Sequence, residues 1–309
     1  MAFAAKIVFL LAMILCLSGW ISPPVALSLG IIFGLSIRHP YPHFSRSAAR
    51  ILLQVSVVAL GLGMNLHEIV KAGRSGFIYT ALGISFSLIV GLALGKFLQI
   101  GGNASYLITA GTAICGGSAI AAIGPILHAD DEEMAVSLGT VFILNSIALL
   151  AFPPIGNALH LTQSQFGLWA ALAIHDTSSV VGAAAKYGAQ ALVVGTTVKL
   201  ARALWIVPLA LATAAVKRSK TRVPLPWFIL FFCLAAVINT YLPVFGNFDR
   251  WAFSAGRLGL TATLFLIGTG ISLATLKSVG WRPLLQGVLL WVMVAVVTLY
   301  LIRMQIISF

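Results

Sequence analysis

The stretch "TAICGGSAIAAIGP", residues 112–125, interrupts a long apolar run with two glycines, a serine and a proline. Inside a bilayer every main-chain N–H and C=O needs a partner, so a membrane helix normally continues without a break. Unwound backbone survives there only where it is buried in protein or lines a wet cavity. The stretch therefore predicts a discontinuous helix, and Pro125 is expected to end or kink its second half.

The composition around this stretch is that of a helical membrane protein. Of 309 residues, 60% are hydrophobic and 8% are charged, and the mean hydropathy is +1.04. A soluble domain carries roughly a quarter charged residues, so this chain cannot cover a water-facing surface. Its repeated apolar runs have the length of about 20 residues that crosses the hydrocarbon core as helix.

Eleven apolar segments are predicted, each bounded by charged residues, proline or glycine. They run over residues 6–21, 24–37, 48–66, 76–98, 104–127, 133–152, 163–186, 190–216, 225–243, 252–272 and 284–304. No long linker separates them, so the prediction is an all-α polytopic protein with one transmembrane domain over 1–309. The first segment shares a lysine and an apolar run with signal peptides, but no clear cleavage site follows. We expect it to be retained as the first helix.

The net charge of +12 sets the predicted orientation. In a soluble protein it would indicate a nucleic-acid partner, whereas in a membrane protein basic residues mark cytoplasmic loops. If all segments span, the N-terminal side carries Lys6, Arg38, Arg46, Arg50, Lys96, Lys217, Arg218, Lys220, Arg222, Lys277 and Arg282, and the other side carries Lys71, Arg74, Lys186, Arg250 and Arg303. This asymmetry predicts a cytoplasmic N-terminus and no nucleic-acid partner.

Residues 47–73 align with residues 254–280, with Arg50 matching Arg257 and a shared G-x-G. The two segments lie an odd number apart in the chain, so they cross the membrane in opposite directions. This pattern predicts inverted-topology repeats, which build many secondary transporters.

A second polar interruption, "IHDTSSVVGAAA" over 174–185, resembles the first. Both consist of an apolar helix, a polar break and a helix of small residues. If both segments span, they point the same way. If both re-enter from opposite faces, they are inverted relatives and the acidic loop 128–133 moves to the cytoplasm. The sequence leaves these alternatives open.

Each break starts a new helix, and a helix N-terminus attracts anions because its free N–H groups carry about half a positive charge. The predicted substrate contacts at the breaks are Gly116, Gly117, Ser118, Thr177, Ser178 and Ser179. For the first break the alternative is close helix packing through small residues.

Asp176 is the acidic residue that lies well inside an apolar stretch, where a carboxylate is costly and is usually kept for a proton relay, a cation or a partner. We expect it to couple transport to protons or a cation, with His175 as neighbour or relay. The alternative, compatible with this role, is a helix N-cap, because Asp before T-S-S-V is a favourable cap.

Lys199 and Arg202 lie three residues apart in segment 190–216 and so share a helix face. Either can neutralise a substrate charge or pair with Asp176, and snorkelling to the interface is the alternative. Asn145 can donate to a substrate or to a neighbouring helix. No nucleotide-binding loop, catalytic cluster or metal-ligand spacing is present, so we expect no cofactor, no metal and no enzyme activity.

The stretch "TAGTAICGGSAIAAIGP", the acidic loop and "LAIHDTSSVVGAAAKYG" together resemble the sulfate exporter family of conserved bacterial inner-membrane proteins. That family is similar in outline to the wider group of anion and cation/proton antiporters. The resemblance implies a multi-pass protein of the bacterial inner membrane with sulfate as substrate. It marks Cys115–Ser118 and His175–Ser179, with Lys199 and Arg202. Two breaks this close in sequence depart from a simple five-plus-five repeat.

Three functions follow from these features. The first is a secondary transporter that exports a small anion, sulfate or sulfonate-like, coupled to protons or a cation. The second is a cation/proton antiporter in which Asp176 binds the ion. The third, from another class, is a membrane-embedded enzyme or a gated channel. The lack of a catalytic cluster argues against the enzyme. A chain of this size without a soluble domain is compatible with a homodimer.

Overall fold

The computed structural model describes residues 2–37, 39–218, 227–242, 246–270 and 279–307, and the regular elements within these ranges are helices. They are α1 (Ala2–Leu17), α2 (Pro23–Ser36), α3 (Pro42–Gly61), α4 (Leu66–Phe97), α5 (Gly102–Ala113), α6 (Gly117–Ile123), α7 (Asp131–Ala158), α8 (Gln163–Ala173), α9 (Thr177–Tyr187), α10 (Ala189–Ala203), α11 (Ile206–Lys217), α12 (Trp227–Tyr241), α13 (Gly246–Thr269) and α14 (Trp281–Arg303). The prediction of an all-helical chain is confirmed.

Three predicted segments are each divided into two helices. Segment 104–127 forms α5 and α6, and segment 163–186 forms α8 and α9, with both breaks where the sequence predicts them. The helix α6 ends at Ile123, just before Pro125, as the proline predicts. The third division, between α10 and α11, was not predicted.

Proline explains the unpredicted division between α10 and α11. Pro208 has no N–H for the carbonyl of Leu204, and its ring would collide with that carbonyl in a continuous helix. The Leu204 carbonyl instead accepts a hydrogen bond of 3.2 Å from the amide of Val207. The chain therefore makes one tight turn at Leu204 and Trp205 before α11 begins.

The predicted end of the sixth segment, at residue 152, was wrong. The helix α7 continues through Pro153 and Pro154 to Ala158. The ring of Phe152 stacks on Trp169 of α8 with centres 4.1 Å apart. Packing against a neighbouring helix supports α7 where the prolines remove two hydrogen bonds, as is common in membrane helices.

Within the described ranges, five helical stretches are long and apolar enough to cross a bilayer. They are Ile78–Phe97, Asp131–Ala158, Ala189–Lys217, Arg250–Thr269 and Trp281–Arg303. Four shorter helices, in α1, α2, α3 and α12, are also apolar. Crossing of the membrane by all eleven predicted segments stays a prediction.

The helices form two packed groups. The scaffold group consists of α1, α2, α3, α12 and α13, in which α13 packs along both α2 and α3. The break group consists of α4 to α11 and α14, and it contains both interrupted helices. Within the scaffold group, α2 and α13 approach so closely that a Cβ atom on Gly30 would lie 2.3 Å from the carbonyl oxygen of Phe265. The two groups meet where α9 packs against α2 and α13, and also where α4 contacts α12 and α7 contacts α2.

The two matched sequence stretches fall mainly on α3 and α13, which pack against each other. The end of the second stretch, residues 271–278, lies outside the described residues. The inverted relation of the two stretches stays a prediction.

Candidate functional site

The two breaks lie in contact. Gly116, between α5 and α6, has a φ of +65°, a value that favours glycine because it has no Cβ atom. A Cβ atom on Gly116 would lie 3.6 Å from the Cα atom of Asp176 and 3.6 Å from Nδ2 of Asn145. The first break, the second break and α7 therefore meet at Gly116.

Arg202 joins the ends of the two helices that precede the breaks. Its Nε donates to the carbonyl of Ala113 at 2.7 Å, and one terminal nitrogen donates to the carbonyl of Thr112 at 3.3 Å. The other terminal nitrogen donates to the carbonyls of Ala171, at 3.3 Å, and Leu172. Its guanidinium thus serves the last turn of both α5 and α8.

Lys199 repeats this arrangement one helical turn earlier. Its Nζ donates to the carbonyl of Ile114 at 2.9 Å and to that of Ile174 at 2.7 Å. The side chains of Lys199 and Arg202 are 0% and 1% exposed, so neither snorkels to the interface. Both neutralise the partial negative charge that the carbonyls carry at a helix C-terminus.

Asp176 is the N-cap of α9, as the alternative interpretation of its sequence predicts. Its Oδ2 accepts from the amides of Ser178, at 3.0 Å, and Ser179, at 3.3 Å, and from the hydroxyl of Ser178. In the described part of the chain Oδ1 accepts no hydrogen bond, and the residue is partly exposed. No ion pair within 4.0 Å joins Asp176 to Lys199 or Arg202. One carboxylate oxygen is therefore free to take a proton or a ligand.

Asn145 connects α7 to the second break and faces the first. Its Oδ1 accepts from the amide of Asp176 at 3.0 Å. Its Nδ2 is buried without a hydrogen-bond partner among the residues that the structure describes. The predicted donation from Asn145 to a neighbouring helix is not seen within the described residues, because its contact to the second break is made by Oδ1 as an acceptor. The contact to a substrate stays a prediction, and Nδ2 is the atom available for it.

The two helices that follow the breaks begin differently. The amides of Ser178 and Ser179 in α9 are occupied by Asp176, and Thr177, Ser178 and Ser179 are buried. The helix α6 has no side-chain cap. Within the described ranges the amides of Gly117 and Ser118 have no partner, and the Ser118 side chain is exposed. The first break thus has more free main-chain donors than the second.

Polar atoms without partners are concentrated around the breaks. His175 is 1% exposed and neither ring nitrogen has a hydrogen-bond partner in the described residues. The hydroxyls of Thr112, Thr196 and Thr197 are in the same condition. Buried polar atoms in native proteins nearly always bond to protein, ordered water or a ligand, so this set indicates a wet or ligand-binding region.

The formal charge at the breaks is positive. Lys199 and Arg202 contribute two positive charges and Asp176 one negative charge, and the partial charges of two helix C-termini and two N-termini cancel. Cys115, 2% exposed, packs in the apolar core beside α4 and α12. No group of three or more His, Cys, Asp or Glu side chains that could hold a metal ion occurs in the residues described.

The sequence did not predict what Lys199 and Arg202 bind. Their spacing showed a shared face, but the carbonyls they contact lie 25 to 90 residues away in the chain. Trp291 of α14, whose ring centre lies 6.4 Å from that of His175, was also missed. A tryptophan in the middle of an apolar segment, away from the interface, was the available signal.

A family model described as conserved hypothetical protein 698 matches residues 1–287. A UPF0324 membrane protein of Bacteroides thetaiotaomicron is 53% identical over 288 residues, which cover 91% of this chain and 86% of the relative. One from Porphyromonas gingivalis is 49% identical, covering 96% and 93%. Another, from Geobacter sulfurreducens, is 48% identical, covering 96% of each.

The chain belongs to the UPF0324 membrane protein family. This membership confirms that it is a membrane protein, in agreement with its apolar helices. The match spans the scaffold helices of the N-terminal part, both breaks and the first turns of α14. This UPF0324 protein combines two interrupted helices, joined by the buried side chains of Lys199 and Arg202, with the partly exposed carboxylate of Asp176.

Proposed function

We propose that this UPF0324 protein is a secondary transporter, not an enzyme, that binds a small anion where its two interrupted helices meet and carries it across the inner membrane. The observation that carries the proposal is the contact of the breaks at Gly116, where Asn145 Nδ2 lies buried without a partner. Discontinuous helices that meet at mid-membrane are the usual substrate sites of secondary transporters.

Three features support an anion as the substrate. The groups at the breaks have a net formal charge of +1, from Lys199, Arg202 and Asp176. The first break offers the amides of Gly117 and Ser118 as donors. Asn145 Nδ2 is a third donor aimed at the same place. Donors around a net positive charge favour a small oxyanion or sulfonate, and the resemblance to sulfate exporters agrees with this class.

The fixed cations have a supporting role in this proposal. Lys199 and Arg202 donate to main-chain carbonyls, so in this proposal they act on the anion mainly through their charge. Asp176 is the coupling group, because its Oδ1 is the free carboxylate oxygen at the breaks. A proton taken up by Asp176 would raise the net charge there to +2, which strengthens anion binding. His175 adjoins it in the chain.

The proposed orientation follows from the charge of the loops, with the N-terminus in the cytoplasm. Export is the proposed direction because the resemblance implies it. The partners are then a small inorganic or organic anion, a coupling proton or cation and the lipid bilayer, with a homodimer compatible with this arrangement.

A binding experiment tests the anion site. The purified protein in detergent is titrated with sulfate, a small alkyl sulfonate and a small carboxylate, and saturable binding of one of them is expected. Asn145→Asp keeps the acceptor for the Asp176 amide and replaces the free donor with an oxygen. We expect it to weaken binding at least tenfold, the effect of losing one hydrogen bond to a charged ligand at about 1.4 kcal/mol or more.

The matched control is Asn65→Asp. Asn65 caps α4 through its Oδ1, which an aspartate also supplies, far from the breaks in the chain. Binding should be unchanged in this variant. Absence of saturable binding of all three anions to the wild-type protein would contradict the anion site.

One observation favours the second candidate, a cation/proton antiporter. The free Oδ1 of Asp176, partly exposed, is a suitable ligand for a small cation. This candidate predicts sodium or potassium flux against protons in the absence of any transported anion.

A further inference from the structure

Two neighbouring aromatic side chains at the second break have buried ring nitrogens without hydrogen-bond partners. His175 lies at the break and Trp291 lies in the middle of α14, with ring centres 6.4 Å apart. Neither nitrogen of His175 has a hydrogen-bond partner among the described residues, and neither does Nε1 of Trp291. Three buried ring nitrogens of two adjacent side chains are therefore unsatisfied.

A neighbouring tryptophan shows how the same fold satisfies an indole. Trp169 of α8 donates from Nε1 to the main-chain carbonyl of Ala295 at 2.9 Å. No such carbonyl serves Trp291 in the part of the chain that the structure describes. A buried polar atom left without a partner costs as much as a lost hydrogen bond, and native proteins normally avoid this with ordered water or a ligand.

Aromatic rings lie on one side of the His175–Trp291 pair. The ring of Phe152 lies 6.0 Å from that of Trp291 and 4.1 Å from that of Trp169, so three stacked rings form an apolar wall beside His175. These rings offer no polar contact through their faces, so a polar ligand beside them is held by the unpaired ring nitrogens of His175 and Trp291.

We propose that His175 and Trp291 hold one oxygen ligand between them. The oxygen accepts from the indole N–H and donates to an imidazole nitrogen. Each N···O hydrogen bond is about 2.9 Å long, so one oxygen bridges two nitrogens up to about 6 Å apart. The ring centres of His175 and Trp291 are 6.4 Å apart, a separation at which one oxygen can reach a nitrogen of each ring when the two nitrogens point towards each other.

This donor and acceptor pair defines the ligand chemistry. The ligand must carry both a lone pair and a proton on the same oxygen, which a water molecule or the hydroxyl of a protonated solute does. A fully deprotonated anion has no proton for a neutral imidazole. The site uses other residues than the proposed anion site at Gly116, and it does not depend on the anion proposal.

The ligand links two elements of the break group. His175 immediately precedes Asp176, and Trp291 belongs to α14, which packs against α8 and α7. An oxygen held between them positions the second break against α14. Trp291 is thereby assigned a positioning role that its sequence did not indicate.

The test is nuclear magnetic resonance of the full-length protein in detergent, with 15N label in its tryptophan indoles. The Trp291 resonance is assigned by its loss in Trp291→Phe, or by its shift in His175→Phe where the first variant does not fold. We expect this N–H to have the chemical shift of a hydrogen-bonded indole. We also expect a cross-peak to water that arises from proximity to a bound molecule and not from chemical exchange of the N–H proton. Trp169, whose indole donates to a carbonyl, is the internal control and should show no such cross-peak.

Addition of a saturating transported solute distinguishes the two sources of the oxygen. A water ligand keeps its cross-peak, and a solute hydroxyl removes the cross-peak while the indole stays hydrogen-bonded. Both results support the site. An indole of Trp291 with a chemical shift of a free N–H and no cross-peak to water would overturn it.

A stability measurement gives an independent answer. Trp291→Phe also removes part of a ring that stacks on Phe152, so the coupling between the variants is the informative quantity. Without an oxygen ligand, the effects of Trp291→Phe and His175→Phe on the melting temperature should add. With an oxygen ligand between the rings, the double variant loses less than the sum of the single variants, and additive effects would overturn the proposal.

Discussion

At the scale of residues, two buried cations explain how the fold accommodates two interrupted helices. Each break leaves main-chain carbonyls without helical partners, and Lys199 and Arg202 supply the missing donors. Their own charges are in turn stabilised by the helix C-termini. The breaks and the cations are therefore parts of one arrangement, and removal of either should destabilise the other.

Substitution of Arg202 tests this dependence. Arg202→Met removes four hydrogen bonds to carbonyls and should lower the free energy of unfolding by about 2–4 kcal/mol, since a hydrogen bond to a charged group contributes about 1.5–3 kcal/mol. Arg202→Lys keeps the charge and should lose less. Chemical unfolding in detergent measures both. Arg50→Met is the control, because Arg50 is exposed and surface substitutions change stability by about 0.5 kcal/mol or less. Equal stability of Arg202→Met and Arg50→Met would contradict the account.

His39, in the connection between α2 and α3, makes the stability depend on pH. Its Nδ1 accepts from the amide of Tyr41 at 2.9 Å, so its proton lies on Nε2, which donates to Thr269 Oγ1 at 3.0 Å. Burial lowers the pKa of His39 below its ordinary value of 6.5. The unfolded chain therefore takes up the proton first, and the stability held above pH 6.5 is lost as the pH falls below it.

Melting temperatures at about pH 7.5 and about pH 5.5 check this expectation. The wild-type protein should lose more stability on acidification than His39→Gln, which keeps an amide donor but does not titrate. An equal loss in the two proteins would rule out His39 as the group responsible.

At the scale of single residues, the sequence indicated which residues belong to the site better than it indicated which atoms they contact. The cap formed by Asp176 follows from the hydroxyl residues after it, which is a local effect. The shared face of Lys199 and Arg202 follows from their spacing. Their carbonyl partners do not, because these come from α5 and α8, far away in the chain, and only the packing of three helices brings them together.

At the scale of elements, the helix breaks and the helix crossings determine the arrangement of the chain. Glycine, serine and aspartate in a polar cluster predicted the first two breaks. The third break required Pro208, whose effect appears four residues earlier, at Leu204. Pro153 and Pro154 do not end their helix, because α7 packs on α8 at Phe152 and continues through both prolines. Proline alone therefore does not decide where a membrane helix ends.

The same substitution at two glycines should have opposite effects. A Cβ atom on Gly268 would lie 2.6 Å from the carbonyl oxygen of Leu27, where α13 crosses α2. Gly268→Ala should therefore destabilise the protein by about 1–3 kcal/mol. Gly83 lies in α4 with no atom within 4 Å of its Cβ position, so Gly83→Ala should stabilise it by about 0.5–1 kcal/mol. Thermal unfolding compares the two, and equal signs would contradict the described crossing.

On the scale of the whole molecule, the scaffold group and the break group are assembled from separated stretches of chain. The helices α12 and α13 join α1 to α3, although eight helices intervene. Hydrophobic periodicity describes one helix at a time, so it could not predict this grouping. The matched stretches on α3 and α13 were the sequence signal for it, because matched elements of a repeat often hold related positions.

If transport requires movement between the two groups, a cross-link between them should stop it. A Cβ atom on Gly182 of α9 would lie 3.3 Å from that of Pro23 of α2, close to the separation of about 3.5–4.5 Å in a disulfide. In a background without the native cysteines, Pro23→Cys with Gly182→Cys should lose solute flux on oxidation and regain it on reduction.

A cross-link within the scaffold group is the control for this experiment. A Cβ atom on Gly256 of α13 would lie 3.1 Å from that of Ala59 of α3 and 2.8 Å from the carbonyl oxygen of Ser56. Gly256→Cys with Ala59→Cys forms a bond without joining the groups, and its oxidised and reduced forms are compared so that the crowding at Gly256 is present in both. Its flux should survive oxidation. Loss of flux in both pairs would show that the effect is not specific to movement between groups.

The flux of radiolabelled sulfate in proteoliposomes, with and without an imposed pH gradient, tests the central claim most directly. Asp176→Asn is measured beside the wild type, because asparagine keeps the cap of α9 and cannot titrate. The account predicts sulfate flux driven by the gradient in the wild type and loss of the response to the gradient in the variant. Absence of sulfate flux, together with collapse of the pH gradient by sodium or potassium alone, would contradict the anion site and assign the breaks to a cation.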